Sequence, residues 1–497
     1  MGYIYALRKQ TNMNKEIQGL TPQIVWKHFY ALTQIPRPSG EEDASAEYVL
    51  KFAKDNGLEA FRDEVGNVIV KKAATSGMEN RKGVVLQGHL DMVPQKNSDK
   101  VHDFSKDPIE AYIDGDWVTA NGTTLGADNG MGVAAALAVL ESKEIQHGPI
   151  EVLLTIDEET GMTGAFGLKG GLLSGDILMN LDSEDEGELY VGCAGGTNAN
   201  VSFDYKEEPV GADSFGYRLE VKGLKGGHSG MEIILQRGNS NKLMFRFLYE
   251  VASLGVRISS VDGGSLRNAI PRECFVSVAV PFDVASIFEQ KVKEFEQIYK
   301  KELGLVDEGV TFTYAKQEAP LFVMEKNAQE KLVYAVYACP NGVVRMSDSM
   351  EGLVETSNNL ARVEVKSGKG GVLCLLRSSV DSAKLDLERQ IESVFKLAGF
   401  NVVMDGQYPG WKPNLNSPIL TTMQGVYEKL YGKIPTIKAI HAGLECGLLG
   451  GVYPNWDMIS FGPTIRYPHS PDEKVKIETV EKFWNFLLAT LSSVPER

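Results

Sequence analysis

Cysteine is scarce and scattered. Cys193, Cys274, Cys339, Cys374 and Cys446 are the whole complement, and they form no Cys-x-x-Cys pair, which argues against both a disulfide framework and a thiolate zinc site and for a reducing compartment. Positive charge is also short: 51 Lys+Arg stand against 66 Asp+Glu, a net charge of -15, so no general affinity for nucleic acid or anionic lipid is expected. No stretch approaches the ~20 apolar residues that span a membrane. At the N-terminus, Met1 to Lys9 sets its few apolar residues ahead of its charges and is too short for a secretory signal, Ala6 breaks the myristoylation pattern that Gly2 opens, and Met13 offers an alternative start. These absences lead to the expectation of a cytoplasmic protein whose partners are small molecules and metal cations.

What is present describes an ordinary globular chain of 497 residues, 43% hydrophobic and 24% charged, long enough for two or three cores. Helical periodicity covers Val25 to Leu32, with His28 expected at the surface, and Ala44 to Asn56. The run Gly83-Val-Val-Leu-Gln-Gly-His89-Leu-Asp91 reads as a buried strand whose carboxyl end delivers an imidazole and a carboxylate, the place where α/β sheets form sites. Asn121 to Gly132 is glycine-rich and leads into an alanine-rich helix; lacking a Gly-x-Gly-x-x-Gly or a Gly-Lys-Ser/Thr, it is read as a rigid holder for Asp128 rather than a nucleotide loop. Two more apolar runs end in acids, Ile150 to Glu158-Glu159 and Gly175 to Asp182. Alone, Asp-Glu-Glu would be a solvated turn; at a strand end, successive side chains diverge, so Glu158 and Glu159 are expected to face different partners.

After Gly196 the pattern changes. Strands and helices from Tyr217 to Tyr314 follow the order βαββαβ, which is ferredoxin-like. A second unit is suggested by an internal match, Leu219 to Gly227 with Val363 to Gly371, identical at six of nine positions, although His228 becomes Val372. A turn-rich linker from Tyr408 to Pro418 then returns the chain to the α/β style, with His441-Ala-Gly-Leu-Glu445-Cys-Gly447 and a loop carrying His469 before the final helix. His102 and His147 fall in loops with no evident partner.

His89, Asp128, Glu159, Asp182 and His469 together make two imidazoles and three carboxylates. Nitrogen and oxygen donors without thiolate suit zinc, cobalt or manganese in a catalytic site. With one carboxylate bridging, each of two divalent ions receives a histidine, an acid and the bridge, and keeps an open position.

These residues resemble the dinuclear zinc metallopeptidases that include carboxypeptidase G, cytosolic dipeptidases and acetylornithine deacetylase. The motifs are His89-x-Asp91, Gly-Ala-Asp128-Asn-Gly, Glu158-Glu159, Asp182 and His469. Within that family, His441 to Gly447 and Gly462 to Glu473 are similar to the aminoacyl-histidine dipeptidase subgroup. The resemblance implies an α/β catalytic domain with a mixed sheet flanked by helices, interrupted by an α+β lid of two ferredoxin-like units: residues 1–196, a lid at 197–409, and 410–497. It implies Asp128 as the bridge, His89 and Asp182 on one ion, Glu159 and His469 on the other, Asp91 orienting His89, and Glu158 as general base. His228 is implied to stabilise the oxyanion, within one chain if the lid is duplicated, and Asn268 and Arg377 to hold the substrate's carboxylate. Glu445 is the candidate for the free amino group, and His441 for a supporting contact. The implied activity is hydrolysis of unblocked dipeptides, Xaa-His foremost, on two divalent ions, zinc before cobalt or manganese. An amidohydrolase of N-acyl amino acids on the same ions is the alternative, and Glu445 separates the two. The partner is a small peptide, with a homodimer left open.

Overall fold

The computed structural model describes residues 15–497; the readings of Gly2, Ala6 and Met13 lie outside these residues. The chain forms two compact units, one made of the residues up to Gly192 with Asn414–Ala439 and Leu444–Arg497, the other of Cys193–Pro413 with Ile440–Gly443.

The first unit is built on an eight-stranded mixed sheet. Its centre is parallel: Ile150–Thr155 pairs with Val84–His89, which pairs with Ile177–Asn180, which pairs with Asp457–Ser460. Every residue of the two leading strands is buried, as expected where helices cover both faces of a parallel sheet. The hairpin Glu59–Arg62 and Val68–Lys72 closes one side in antiparallel register. Helix Ala127–Glu141 is buried from Asn129 to Leu140. It lies so close to the sheet that a Cβ on Gly88 would collide with the Asn129 side chain, and one on Gly132 with Asn129 and the Leu181 carbonyl. A small four-stranded sheet adds Ala111–Asp114, Trp117–Ala120, Lys474–Lys476 and Ile465–Arg466.

The second unit contains a nine-stranded antiparallel sheet. Thr311–Gln317, Ser214–Lys222, Cys274–Pro281 and Arg257–Gly263 lie side by side in the ferredoxin-like order 4-1-3-2. Val354–Lys366, Lys369–Ser378, Gly195–Asp204 and Asn401–Tyr408 continue the sheet as 2-3-1-4, so the first strand of this outer half precedes the whole inner half in sequence. Helices Ser240–Glu250, Ala285–Leu303, Lys326–Ala338 and Asp381–Leu397 contribute buried residues such as Phe247, Phe288, Leu332 and Phe395 to one core with these strands. The two segments matched in sequence are not equivalent: Glu220 lies on the first strand of the inner half and Glu364 on the second strand of the outer one.

His28 is not a surface residue. It is 2% exposed, with Nε2 2.8 Å from Glu141 Oε2, because helix Gln23–Thr33 turns that face toward the long alanine-rich helix. His147 is buried too, with Nδ1 2.7 Å from the Gly148 carbonyl.

Candidate metal centre

The parallel strands deliver the site at their carboxyl ends. His89 closes its strand opposite Thr155, and Glu158 and Glu159 follow Thr155 after a turn at Asp157, whose φ is 56°. Strand alternation therefore does not separate the two acids, because the strand has already ended; the turn does. That turn is pinned by Asp91, which accepts the Glu158 N–H on Oδ1 at 3.0 Å and the Glu159 N–H on Oδ2 at 3.1 Å. Oδ1 of Asp91 also lies 3.2 Å from His89 Nδ1, and Oδ2 accepts from Ser39 Oγ at 2.8 Å.

Asp128 stands in the first turn of the alanine-rich helix with a non-helical backbone, φ −82° and ψ 113°, and a cis peptide bond to Asn129. Asn129 donates its side-chain amide to the Leu181 carbonyl at 2.8 Å, which ties this turn to the strand end carrying Asp182.

The two oxygens of Asp128 face two different groups. Oδ1 is 3.2 Å from His89 Nε2, which is itself 3.4 Å from Asp182 Oδ1. Oδ2 is 3.4 Å from His469 Nε2, which is 2.9 Å from Glu159 Oε2. His89, Asp128 and Asp182 form one set of close donor atoms, Asp128, Glu159 and His469 a second, and His89, Glu158 and Glu159 a third.

Charge in this cluster is unbalanced. Side-chain hydrogen bonds to Asp128 and Glu159 push the His469 imidazole up to about 11. Burial opposes charge on His89, yet Asp182, Asp128 and Asp91 raise it well above its usual value. Burial, then Asp128 and Glu159, push Asp182 up to about 7 against the pull of His89. Burial also lifts Glu158 well above the usual carboxylate range, helped by Asp182, Glu445 and Glu159. Asp182 Oδ1 is buried without a hydrogen-bond donor. A carboxylate cluster that draws protons onto both imidazoles lacks positive charge, and divalent cations would supply it while releasing those protons. The donor sets fit divalent cations, and Asp128 belongs to two of them.

Glu445 is buried at the start of helix Glu445–Val452. Its Oε2 accepts from Gln87 Nε2 at 2.6 Å and from Thr155 Oγ1 at 2.7 Å, while Oε1 has no partner. Burial pushes this carboxyl up to about 8. Glu184, two residues past Asp182, was not singled out by its sequence; burial, Asp128 and Asp182 push it up to about 8.

The second unit gathers the other candidates. His228 Nδ1 accepts N–H bonds from Gly230 at 3.3 Å and Met231 at 3.1 Å, so a neutral ring carries its proton on Nε2. Burial and then Arg377 hold its pKa down. Asn268 precedes Ala269, the residue bridged to His228, and its carbonyl accepts the Ser229 N–H at 2.8 Å. Arg377, 6% exposed, donates Nη1 to the Tyr408 hydroxyl at 3.2 Å and leaves Nε without an acceptor. Among the described residues no carboxylate pairs with it. His441 Nε2 is 2.7 Å from Ser357 Oγ and its Nδ1 is buried and unpartnered; burial and then Arg377 push it down to about 3. Glu232 accepts the His228 N–H at 2.8 Å, but Arg377 keeps donors without an acid, the chemistry that receives a carboxylate. Nothing in the local sequence marked Tyr408 or Ser357, whose partners lie on distant strands.

Residues 85–493 match Peptidase family M20/M25/M40. The cytosol non-specific dipeptidase of Escherichia coli (strain K12) is 48% identical over 488 residues, covering 97% of this chain and 100% of that protein. The crystal structure of aminoacylhistidine dipeptidase from Vibrio alginolyticus matches with a TM-score of 0.93 and 52% identity, over 97% of this chain and 98% of that one. Aminopeptidase PepT from Bacillus cereus shares the fold, with a TM-score of 0.62 at 16% identity over 96% of this chain and 99% of that one.

Proposed function

The chain belongs to peptidase family M20/M25/M40, and from that premise we propose that it is a metal-dependent dipeptidase of the cytoplasm, cleaving unblocked dipeptides and favouring a C-terminal histidine. The observation that carries the reading is Asp128, whose two oxygens each face a separate histidine–carboxylate set. His89 and Asp182 would hold one divalent ion, Glu159 and His469 the other, with zinc the first choice for an N/O donor set. Two such ions, when bound, polarise the scissile carbonyl and make water a competent nucleophile near neutral pH.

The chain's own residues supply the rest. Glu158 takes the proton of the attacking water and passes it to the leaving amine, a task suited to a carboxyl whose affinity for protons is raised by burial. Asp91 keeps the Glu158 peptide and the His89 ring in place. The His228 Nε2–H is assigned to the oxyanion, and Arg377, with Tyr408 and Asn268 beside it in role, to the substrate's carboxylate. Glu445 offers one unpartnered oxygen, and an ammonium group placed against it would offset the burial that raises this carboxyl and pair with its ionised form, a contact an acyl cap could not make. That feature favours a dipeptidase over an N-acyl amidohydrolase.

Metal-free protein, and protein restored with zinc, cobalt or manganese, should be assayed against alanyl-histidine, β-alanyl-histidine, alanyl-alanine and N-acetyl-histidine. Metal-dependent turnover of the three free dipeptides is expected, fastest for those ending in histidine; turnover of the acetylated compound alone would reject the dipeptidase reading. Mixing His228→Ala with Glu159→Ala protein tests whether His228 serves its own chain: no activity should return.

A further inference from the structure

Glu473 lies in the loop between Ile465–Arg466 and Lys474–Lys476, the same loop that carries His469. It is 1% exposed. Its carboxylate accepts four consecutive peptide N–H groups: Leu125 at 2.8 Å and Gly126 at 3.0 Å on Oε2, Ala127 at 2.7 Å and Asp128 at 3.2 Å on Oε1. A single carboxyl group thus fixes the backbone that ends at Asp128. Arg37 grips that backbone from the other side, donating to the Gly126 carbonyl and to those of Leu90 and Asp91. The loop itself is anchored at its Glu473 end: the Glu473 N–H donates to the Ser470 carbonyl at 2.9 Å, and Thr119 Oγ1 donates to the Glu473 carbonyl at 2.8 Å. His469, by contrast, has a half-exposed side chain on a left-handed residue, φ 60°.

We infer that Glu473 is a positioning residue that sets Asp128 and His469 at the spacing needed to share one ion while Asp128 reaches the other. This rests on the two-ion reading of the site. Asp128 can bridge only if its Cα is placed to within a fraction of an ångström, and His469 can complete the second ion only if its loop keeps its distance from Asp128. One carboxylate bonded to the first of these segments and belonging to the second does both. A carboxylate is required because its two oxygens accept four donors; a glutamine keeps one acceptor and turns an N–H2 toward two peptide N–H groups.

The test is a titration of metal-free wild-type and Glu473→Gln protein with cobalt(II), followed by visible absorption and by the spin coupling that two bridged cobalt ions show. The wild type is expected to take two ions with a coupled signal. The variant, its fold checked by the melting curve of the metal-free protein, is expected to bind one ion nearly as well, to bind the second at least tenfold more weakly, in line with the roughly 10–100-fold typical of groups that hold ligands, and to lose the coupling. Should Glu473→Gln fail to fold, Glu473→Asp, which keeps both oxygens but withdraws them by one methylene, is read the same way. Two coupled ions with unchanged affinities in the variant would overturn the inference alone; a wild type that takes up one ion would overturn the two-ion reading and the inference with it.

Discussion

Asp91 holds Glu158 by its peptide N–H, 3.0 Å from an oxygen that is also 3.2 Å from the ring of His89. One buried carboxylate thus sets the direction of the imidazole proposed to hold a metal and the position of the proposed base. Asp91→Asn puts an N–H2 where one of two peptide donors or His89 now finds an oxygen, leaving a buried donor unpaired at about 1–3 kcal/mol. We expect kcat/KM for alanyl-histidine to fall roughly 10–100-fold, measured with metal content determined on the same sample. A variant with full activity would remove Asp91 from the mechanism.

Glu158 and Glu159 share a turn, and the proposed mechanism gives them different tasks. Glu158→Ala is expected to keep both metals and lose about 10²–10⁴-fold in turnover, whereas Glu159→Ala, which deprives His469 of the nearer of its two carboxylates, at 2.9 Å, is expected to lose metal. Elemental analysis after gel filtration decides the point, and equal metal loss in both would show that the roles are divided wrongly.

How much of this was legible in the sequence depends on the kind of partner. His89, Asp128, Glu159 and Asp182 could be found because their chemistry sits where apolar runs or a glycine-rich turn stop, a pattern visible along the chain. Glu473 and Arg37 could not, since they bond to peptide N–H and C=O groups that every residue carries. Tyr408 was hidden for a related reason: its meeting with Arg377 depends on both strands flanking Gly195–Asp204, a register that no local pattern fixes. The repeat paired the wrong strands, because glycine-rich strand ends look alike even when their strands hold different places in the sheet, yet the second unit it suggested is present: read from the far edge, the outer strands also run 4-1-3-2.

Arg377 and Tyr408 should govern substrate affinity rather than the chemical step. Arg377→Lys loses the planar fork that matches a carboxylate, and a rise in KM of about tenfold or more is expected with little change in kcat, with a smaller rise for Tyr408→Phe. The control is alanyl-histidinamide, which lacks the carboxylate: its kinetics should respond little to either substitution, and an equal effect on both substrates would argue against carboxylate recognition.

His441 makes stability depend on pH. Its pKa is about 3 in the fold against 6.5 for the free side chain, so it stays neutral when folded while the unfolded chain takes up a proton below pH 6.5. Its contribution is complete above that value and declines as pH falls toward the folded value, by about 2 kcal/mol at about pH 5. His441→Phe loses the bond to Ser357 at every pH but also the titration, so the stability gap between wild type and variant should narrow by about that amount between about pH 7.5 and 5. Urea unfolding of the metal-free proteins measures it; a gap that does not narrow would mean His441 is charged in the fold.

The nested strand order of the second unit has a consequence for how the protein is made. Gly195–Asp204 pairs with Lys369–Ser378 and Asn401–Tyr408, both of which follow the complete inner half. As the chain leaves the ribosome, this strand emerges long before either of its neighbours, and the inner half can close its own four strands in the interval. The waiting strand alternates buried and open positions and carries Val201 and Phe203 on its apolar face. Until residue 408 has been made, that strand lacks both of its neighbours and is open to whatever else can pair with it.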